Sequence, residues 1–337
     1  MWLFLLALGC TPKTVSPPAA LSGEVRHPEE VTGLPAELVV EGPLSSRVSS
    51  ISSDLVLHYG GEHQGSMETC GCPKRPRGSL PRLASYTQAA RSAHPETPHL
   101  LLHGGYFLAD DMGMDGELRA DNPLRNTWML KGLREVGFDA VNVSYHDLPG
   151  MEHLDTLPAF LVSANVRATG NTPEPARSLV FEQNGIRVGV TGITKAGMTF
   201  VATPQYTVGD PVSHAIEVLQ DLSSQADVLV LLAYEASEDI EPIVSAVPEL
   251  DLIIDTRMYR EFSPPLQVEG AVLTQAHYQT QRLGELLLKV EGDDIEVLQD
   301  RKIDLDPEVP DEPNVMEIVL SARSELDTVQ EKLFGGP

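Results

Sequence analysis

Basic charge, cysteine and long apolar runs are all scarce in this chain. It carries 24 Lys and Arg against 49 Asp and Glu, a formal net charge of −25. A surface of that sign repels phosphodiester backbones and anionic membranes, which argues against nucleic acid as a partner. Phosphate ligands would need cations to offset the same field. Cysteine occurs at three positions, Cys10, Cys70 and Cys72. No apolar run has the ~20 residues needed to cross a bilayer as a helix. Internal repeats are also absent. What remains is ordinary for a folded domain: 337 residues, 42% hydrophobic, enough to bury one large α/β core or a core with a small appendage.

The first ten residues, Met1-Trp2-Leu3-Phe4-Leu5-Leu6-Ala7-Leu8-Gly9-Cys10, read as a bacterial lipoprotein signal. A short apolar stretch ends in small residues and a Cys, the residue acylated after cleavage. Thr11 rather than Asp follows, which is compatible with sorting to the outer membrane, facing the periplasm. Residues 11–50 are rich in Pro, Ser, Gly and Glu with little periodicity, and are read as a flexible tether. Residues 51–303 form the folded domain. Residues 304–337 are read as an acidic, Pro-rich linker followed by an amphipathic helix over Val315–Leu333.

Within the domain, apolar spacing predicts helices at Leu80–Ser92, Leu124–Val136, Val212–Ser223 and Ile240–Ala246. Ser79 and Pro81 suit a helix start, and Gly137 a helix end. Strands are predicted at Leu100–His103, Ala140–Val143, Phe160–Asn165, Val228–Leu232 and Leu252–Ile254. Leu179–Glu182 and Arg187–Gly192 flank Asn184-Gly185, a hairpin signal. Gly270–Gln275 and Leu283–Glu291 are read as a paired edge. Strands alternating with helices, then antiparallel pairs, suit a two-sheet α/β sandwich.

The chemistry concentrates after the apolar run Leu55-Val56-Leu57, in His58-Tyr59-Gly60-Gly61-Glu62-His63-Gln64-Gly65-Ser66-Met67-Glu68-Thr69-Cys70-Gly71-Cys72. A strand that empties into a Gly-rich loop carrying His, Glu and Cys is where α/β proteins place reactive groups. The loop resembles that of the metallophosphoesterase superfamily, in its 5′-nucleotidase-like branch. There a first strand ends Asn-Asp-x-His-Gly; here Gly60-Gly61-Glu62-His63 keeps the His and puts Gly61 at the Asp. Glu68-Thr69-Cys70-Gly71-Cys72 is similar to a Glu-Pro-Cys-Gly-Cys stretch of some bacterial members. Gly78-Ser79-Leu80-Pro81-Arg82-Leu83-Ala84 is similar to the Gly-Gly-Leu-Ala-Arg that enters the next helix. Later blocks match at Leu100–Phe107, Asp139–Asp147, Val228–Tyr234 and Asp251–Tyr259, so the resemblance runs from about Leu55 to Val290. It implies a four-layer αββα sandwich with two mixed sheets, plus the C-terminal helix. Full-length nucleotidases continue into a second domain; a sequence ending at Pro337 is expected to hold the first alone.

The resemblance also marks where ligands of a two-cation hydrolase belong. Tyr106, Tyr145, Tyr234, Arg257 and Tyr259 stand at those positions, while His63 persists and His146 matches the catalytic His. Two-metal hydrolysis needs several oxygen and imidazole ligands around cations about 3.5–4 Å apart. The expectation is therefore a family fold with its phosphatase site dismantled, acting in binding or scaffolding. The alternative is a phosphoesterase with a rebuilt zinc or manganese site. His63, His103, Tyr106, Tyr145, Tyr234, Arg257 and Tyr259 are expected to converge, either as a ligand cleft or as filler of the space metals occupied. Cys70 and Cys72 leave three readings open: a strained disulfide, a soft metal site with His58, His63, His103 or His146, or thiol exchange. The membrane, through the lipid, is one expected partner. A protein at the basic loop 74–82 or at the C-terminal helix is another.

Overall fold

The computed structural model describes residues 34, 38–113, 116–196, 202–256, 265–292 and 294–335. Cys10, Arg257 and Tyr259 lie outside the described residues, as do the signal and most of the tether.

In chain order the elements are β1 (Leu38–Val40), α1 (Leu44–Arg47), β2 (Leu55–Gly60), α2 (Leu80–Ala93), β3 (His99–His103), α3 (Asn122–Val136), β4 (Ala140–Asn142), α4 (Leu148–Met151) and β5 (Leu161–Val162). There follow β6 (Val166–Ala168), β7 (Ser178–Gln183), β8 (Ile186–Thr194), β9 (Tyr206–Val208), α5 (Pro211–Ser223), β10 (Val228–Tyr234), α6 (Ile240–Ala246) and β11 (Leu252–Thr256). The chain closes with β12 (Leu266–Val268), β13 (Ala271–Gln275), β14 (Arg282–Glu291), β15 (Asp294–Asp304) and α7 (Pro313–Phe334). Among the described residues these strands form a seven-stranded sheet, β1-β15-β14-β2-β3-β4-β5, a six-stranded sheet, β12-β13-β11-β10-β8-β7, and the small pair β6-β9.

Strand alternation builds the layers. On β10, Val228, Val230 and Leu232 face inward with Leu55, Leu57, Leu100 and Leu102 of the other sheet. Leu229, Leu231 and Ala233 of the same strand face outward, under Val218 and Leu222 of α5 and Ile243 of α6. Side chains of successive strand residues point to opposite faces, so one apolar run serves both layers. On the far side α2, α3 and α7 cover the seven-stranded sheet, with Leu83, Leu133 and Val319 over Leu101, Val141 and Ile303. This is the expected αββα order. Among the described residues no helix is long and apolar enough to cross a membrane.

Local signals placed most boundaries. Ser79 Oγ accepts from the Arg82 N–H at 3.4 Å, and Gly137 ends α3 in the left-handed region at φ 83°. Asn184 and Gly185 take φ of 50° and 82°, the two positive values a tight antiparallel turn needs. The predicted strand Phe160–Asn165 shortens to Leu161–Val162; beyond it Ser163 Oγ accepts the Val166 N–H in a local turn and Asn165 Nδ2 donates to the Thr194 carbonyl at the end of β8. Gly270–Gln275 and Leu283–Glu291 do not pair with each other. β13 lies between β11 and β12, whereas β14 is central to the other sheet, between β2 and β15.

Both segments flanking the expected domain are also folded in part. β1 pairs with β15, and the fully buried Arg47 reaches Asp306 at 2.7 Å and the Asp304 carbonyl. Residues 304–314, read as a linker, are thereby packed on the domain. Their carboxylates hold the basic loop as well: Arg75 meets Asp306 at 2.5 Å, Arg77 meets Asp304 at 2.9 Å and Arg82 meets Asp311 at 3.6 Å. On α7, Val315, Val319 and Ala322 bury the apolar stripe against α2 and α3, leaving Leu320 and Leu333 outward.

Candidate functional site

Five strands deliver side chains to one end of the sandwich: β2 through Glu62 and His63, β3 through Tyr106, β4 through Tyr145 and His146, β10 through Tyr234 and Glu235, β11 through Asp255 and Thr256. All five run parallel within their sheets, so their carboxyl ends coincide. Glu62, Tyr106 and Glu235 each leave their strand with a positive φ, 56°, 59° and 50°. Such backbone costs about 1–3 kcal/mol per residue and persists where the surroundings over-determine it. Here the loops are stitched together: the Glu62 N–H donates to the Gly105 carbonyl at 3.0 Å, and the Glu235 N–H to that of Thr256 at 2.9 Å.

The aromatic rings pack on one another. His146 lies between Tyr106, centroids 4.1 Å apart and nearly parallel, and Tyr145, at 4.2 Å. Tyr234 stands edge-on to all three at 5.9–6.2 Å. Carboxylates orient the rings: His146 Nδ1 is 2.8 Å from Asp110 Oδ2, Tyr106 Oη donates to Asp110 Oδ1 at 2.7 Å and Tyr145 Oη donates to Glu235 Oε2 at 2.7 Å. Burial pushes all three phenols above the ordinary tyrosine value. Underneath, the Asp147 carboxylate accepts the N–H groups of Tyr106, Phe107, Leu108 and Ser144 and the Ser144 hydroxyl. That carboxylate fixes the β3 and β4 exits relative to each other.

His63 and His103 are buried in contact, Nδ1 of the first 2.8 Å from Nε2 of the second. The Gly105 N–H donates to His103 Nδ1 at 3.1 Å. His103 therefore carries its proton on Nε2 and donates to His63 Nδ1, which leaves the His63 proton on Nε2. His63 Nε2, buried with no hydrogen-bond partner among the described residues, is thus a donor. Burial also keeps both rings neutral, with His63 held down at about 4.

The space beside Gly61 is filled from across the sandwich. A Cβ on Gly61 would lie 2.8 Å from Thr256 Cγ2, and a Cβ on Gly104 would strike Thr256 Oγ1. Gly61, three phenols and a protonated imidazole nitrogen are poor ligands for a pair of hard cations. Other donors at this end include Glu62, held neutral by burial, His146, and the carboxylates of Asp110 and Glu235, which are engaged by the rings. Among the described residues no three His, Cys, Asp or Glu side chains are grouped to hold a metal. This includes the expected combination of Cys70 and Cys72 with His58, His63, His103 or His146. The two cysteines are unbridged thiols, so no disulfide links them here.

Reading the chain alone missed Glu62, Asp110, Asp147, Glu235 and Thr256. Glu62 and Glu235 carry the signal of a polar residue just past a strand end, overshadowed by the aromatic residues nearby; Asp110 and Asp147 lie farther along their loops and Thr256 ends β11. Glu62 Oε1, His146 Nε2, Tyr234 Oη and Thr256 Oγ1 are buried with no hydrogen-bond partner among the described residues.

Glu62 gives a pH prediction. Burial, with Glu235 and Asp255 nearby, raises its carboxyl from 4.5 to about 8. The folded state thus favours the neutral acid; its contribution is complete below about 4.5 and is lost as pH rises through about 8. Folding stability should fall by roughly 2–4 kcal/mol between pH 5 and pH 9, and Glu62→Gln should flatten that limb. Urea denaturation across the pH range measures it; an unchanged slope in Glu62→Gln would place the titration elsewhere. His63 acts on the other limb, where its contribution is lost as pH falls from 6.5 toward 4.

This layered architecture, with its loops gathered at the strand ends, is the fold of the metallophosphoesterase superfamily. No protein-family model matches the chain. A curated relative, the uncharacterized metallophosphoesterase YunD of Bacillus subtilis (strain 168), is 24% identical over 163 residues, 47% of this chain and 34% of that protein. The calcineurin-like phosphoesterase YfkN of Bacillus subtilis superposes with a TM-score of 0.60 at 16% identity, covering 82% of this chain and 98% of that one. The 5′-nucleotidase precursor of Thermus thermophilus gives 0.63 at 18% identity, covering 82% of this chain and 60% of that one. The chain thus spans about a third of the curated relative, and at these identities the structural likeness is one of fold.

Proposed function

We propose that this chain is an exported protein, lipid-anchored through Cys10 in a bacterial envelope, that uses a metallophosphoesterase-like fold for binding or scaffolding rather than for phosphoester hydrolysis. One observation carries the non-hydrolytic part: His63 is held as the tautomer whose unpartnered nitrogen, Nε2, bears a proton. The chain of hydrogen bonds that sets this begins at the Gly105 backbone N–H, which can only donate. Asp110, Glu235 and Asp255 add negative charge beside the ring stack, which disfavours a phosphate in the absence of cations. The lipid anchor rests on the first ten residues, and Thr11 after Cys10 is compatible with the periplasmic face of the outer membrane. With Arg75, Arg77 and Arg82 engaged internally, the outward face of α7 is the better candidate surface for a protein partner.

Retention of His146 paired with Asp110 favours the second reading, a hydrolase with a rebuilt site. The two separate in one experiment. Protein dialysed against zinc or manganese is analysed for bound metal and assayed on a nucleoside monophosphate and an aryl phosphodiester. We expect substoichiometric metal and no turnover above the blank. Stoichiometric metal together with hydrolysis abolished in His146→Ala would replace this reading with the hydrolytic one.

A further inference from the structure

The Cys-Gly-Cys loop takes no part in the aromatic site, yet it is firmly held at the surface. Cys72 is exposed and Cys70 half-buried. The loop between them and α2 is clamped at both levels. The Cys70 N–H donates to the Arg77 carbonyl at 2.8 Å, and the Arg77 N–H donates back to Cys70 Sγ at 3.2 Å. Arg75 and Arg77 then tie the loop to Asp306 and Asp304, both buried. The basic residues so fix the thiols in place rather than forming a free cationic patch.

We propose that Cys70 and Cys72 form a dithiol pair that exchanges with disulfides, Cys72 attacking and Cys70 resolving. The asymmetry of the two sulfurs assigns the roles. Cys72 is exposed, whereas Cys70 is half-buried with its sulfur already accepting the Arg77 N–H. Backbone hydrogen bonding from Arg75 and Lys74 and the Arg77 charge hold the Cys72 thiol below its ordinary value, and the thiolate is the nucleophile. Cys70 is shielded, but a separation of two residues keeps it within about 7 Å along the backbone.

The exchange balances as follows. The Cys72 thiolate attacks one sulfur of a disulfide R–S–S–R, forming a Cys72–S–S–R bond and expelling one thiolate. Cys70 gives its proton to solvent and attacks Cys72 Sγ, which expels the second thiolate and closes the Cys70–Cys72 bond. Two electrons pass from the dithiol to the disulfide. A ring that small departs from relaxed disulfide geometry, so the oxidised pair is readily reduced again and can hand its bond to another dithiol. Gly71 fits this cycle. In the dithiol form a Cβ there meets nothing within 4 Å and its φ is not left-handed, so the open form makes no demand for glycine. Its freedom is needed when the ring closes.

The test uses the full chain with Cys10→Ser, so that Cys70 and Cys72 are the only thiols, and oxidised glutathione as the disulfide. Mass spectrometry of acid-quenched samples should show an internal disulfide without a persistent adduct. Cys70→Ser should trap a glutathione adduct at position 72, and Cys72→Ser should react at least ~10-fold more slowly. Gly71→Ala should accumulate the adduct while its thermal midpoint stays unchanged. A persistent adduct in the dithiol chain, or equal rates for the two single variants, would overturn the proposal. Because the readout is thiol chemistry, the outcome does not depend on whether the aromatic site binds, hydrolyses or does neither.

Discussion

Gly61→Asp, which places a carboxylate where the resemblance to the metallophosphoesterases expects one, should cost this protein about 3 kcal/mol or more of folding stability. The position has no room. The new Cβ would sit 2.8 Å from Thr256 Cγ2, on a β-branched side chain with little rotamer freedom. Overpacking of this kind costs about 1–3 kcal/mol. The carboxylate would add to that, being placed without a cation beside Glu62, itself held neutral by burial and by Glu235 and Asp255. Pairing the change with Thr256→Gly removes the clash but not the charge. The double variant should therefore recover roughly half the loss, after ~1 kcal/mol for a glycine within a strand. Urea denaturation of the two single variants and the double variant gives the coupling directly. If Gly61→Asp is as stable as the parent, Thr256 does not occupy the vacated space, and the argument for an incompatible cation site loses its steric half.

A second large effect lies between the sheets. Asp300 and Lys302 are both fully buried, their charges 2.9 and 3.1 Å apart, with Tyr59 and Thr274 completing the cluster. Breaking a buried pair by removing one partner leaves an uncompensated charge and typically costs about 3–5 kcal/mol. Asp300→Leu should fall in that range. Asp300→Leu with Lys302→Met should recover most of it, because the apolar surroundings of Leu57, Val272 and Leu286 accept the replacement and Tyr59 keeps its 2.6 Å contact with Thr274. Equal losses in the single and double variants would mean that the cluster stabilises through hydrogen bonding rather than through charge.

Local chemistry was legible where one segment decides its own state. Ser79, Gly137 and the Asn184-Gly185 turn marked boundaries because capping and positive φ are properties of a few neighbouring residues. The apolar runs at 228–232 and 252–254 announced strands, and both are buried and parallel in the fold because both their faces are covered. Partnership was not legible in the same way. β13 and β14 carry similar apolar patterns, and nothing within either segment says which sheet each will join. The acidic stretch 304–314 has a linker's composition; only the burial of Arg47 and the placement of Arg75 and Arg77 turn its carboxylates into anchors.

The site divides along the same line. The order of residues by itself put Gly61, Tyr106, Tyr145 and Tyr234 at or shortly after the ends of four strands, where the resemblance to the metallophosphoesterases expects ligands. Only the tertiary structure decided that His146 is clasped between two phenols, that Thr256 closes the space beside Gly61, and that Gly105, through His103, sets the tautomer of His63. Those outcomes depend on atoms brought together from five strands, and on which nitrogen of a buried ring meets a backbone N–H, which spacing along the chain does not encode.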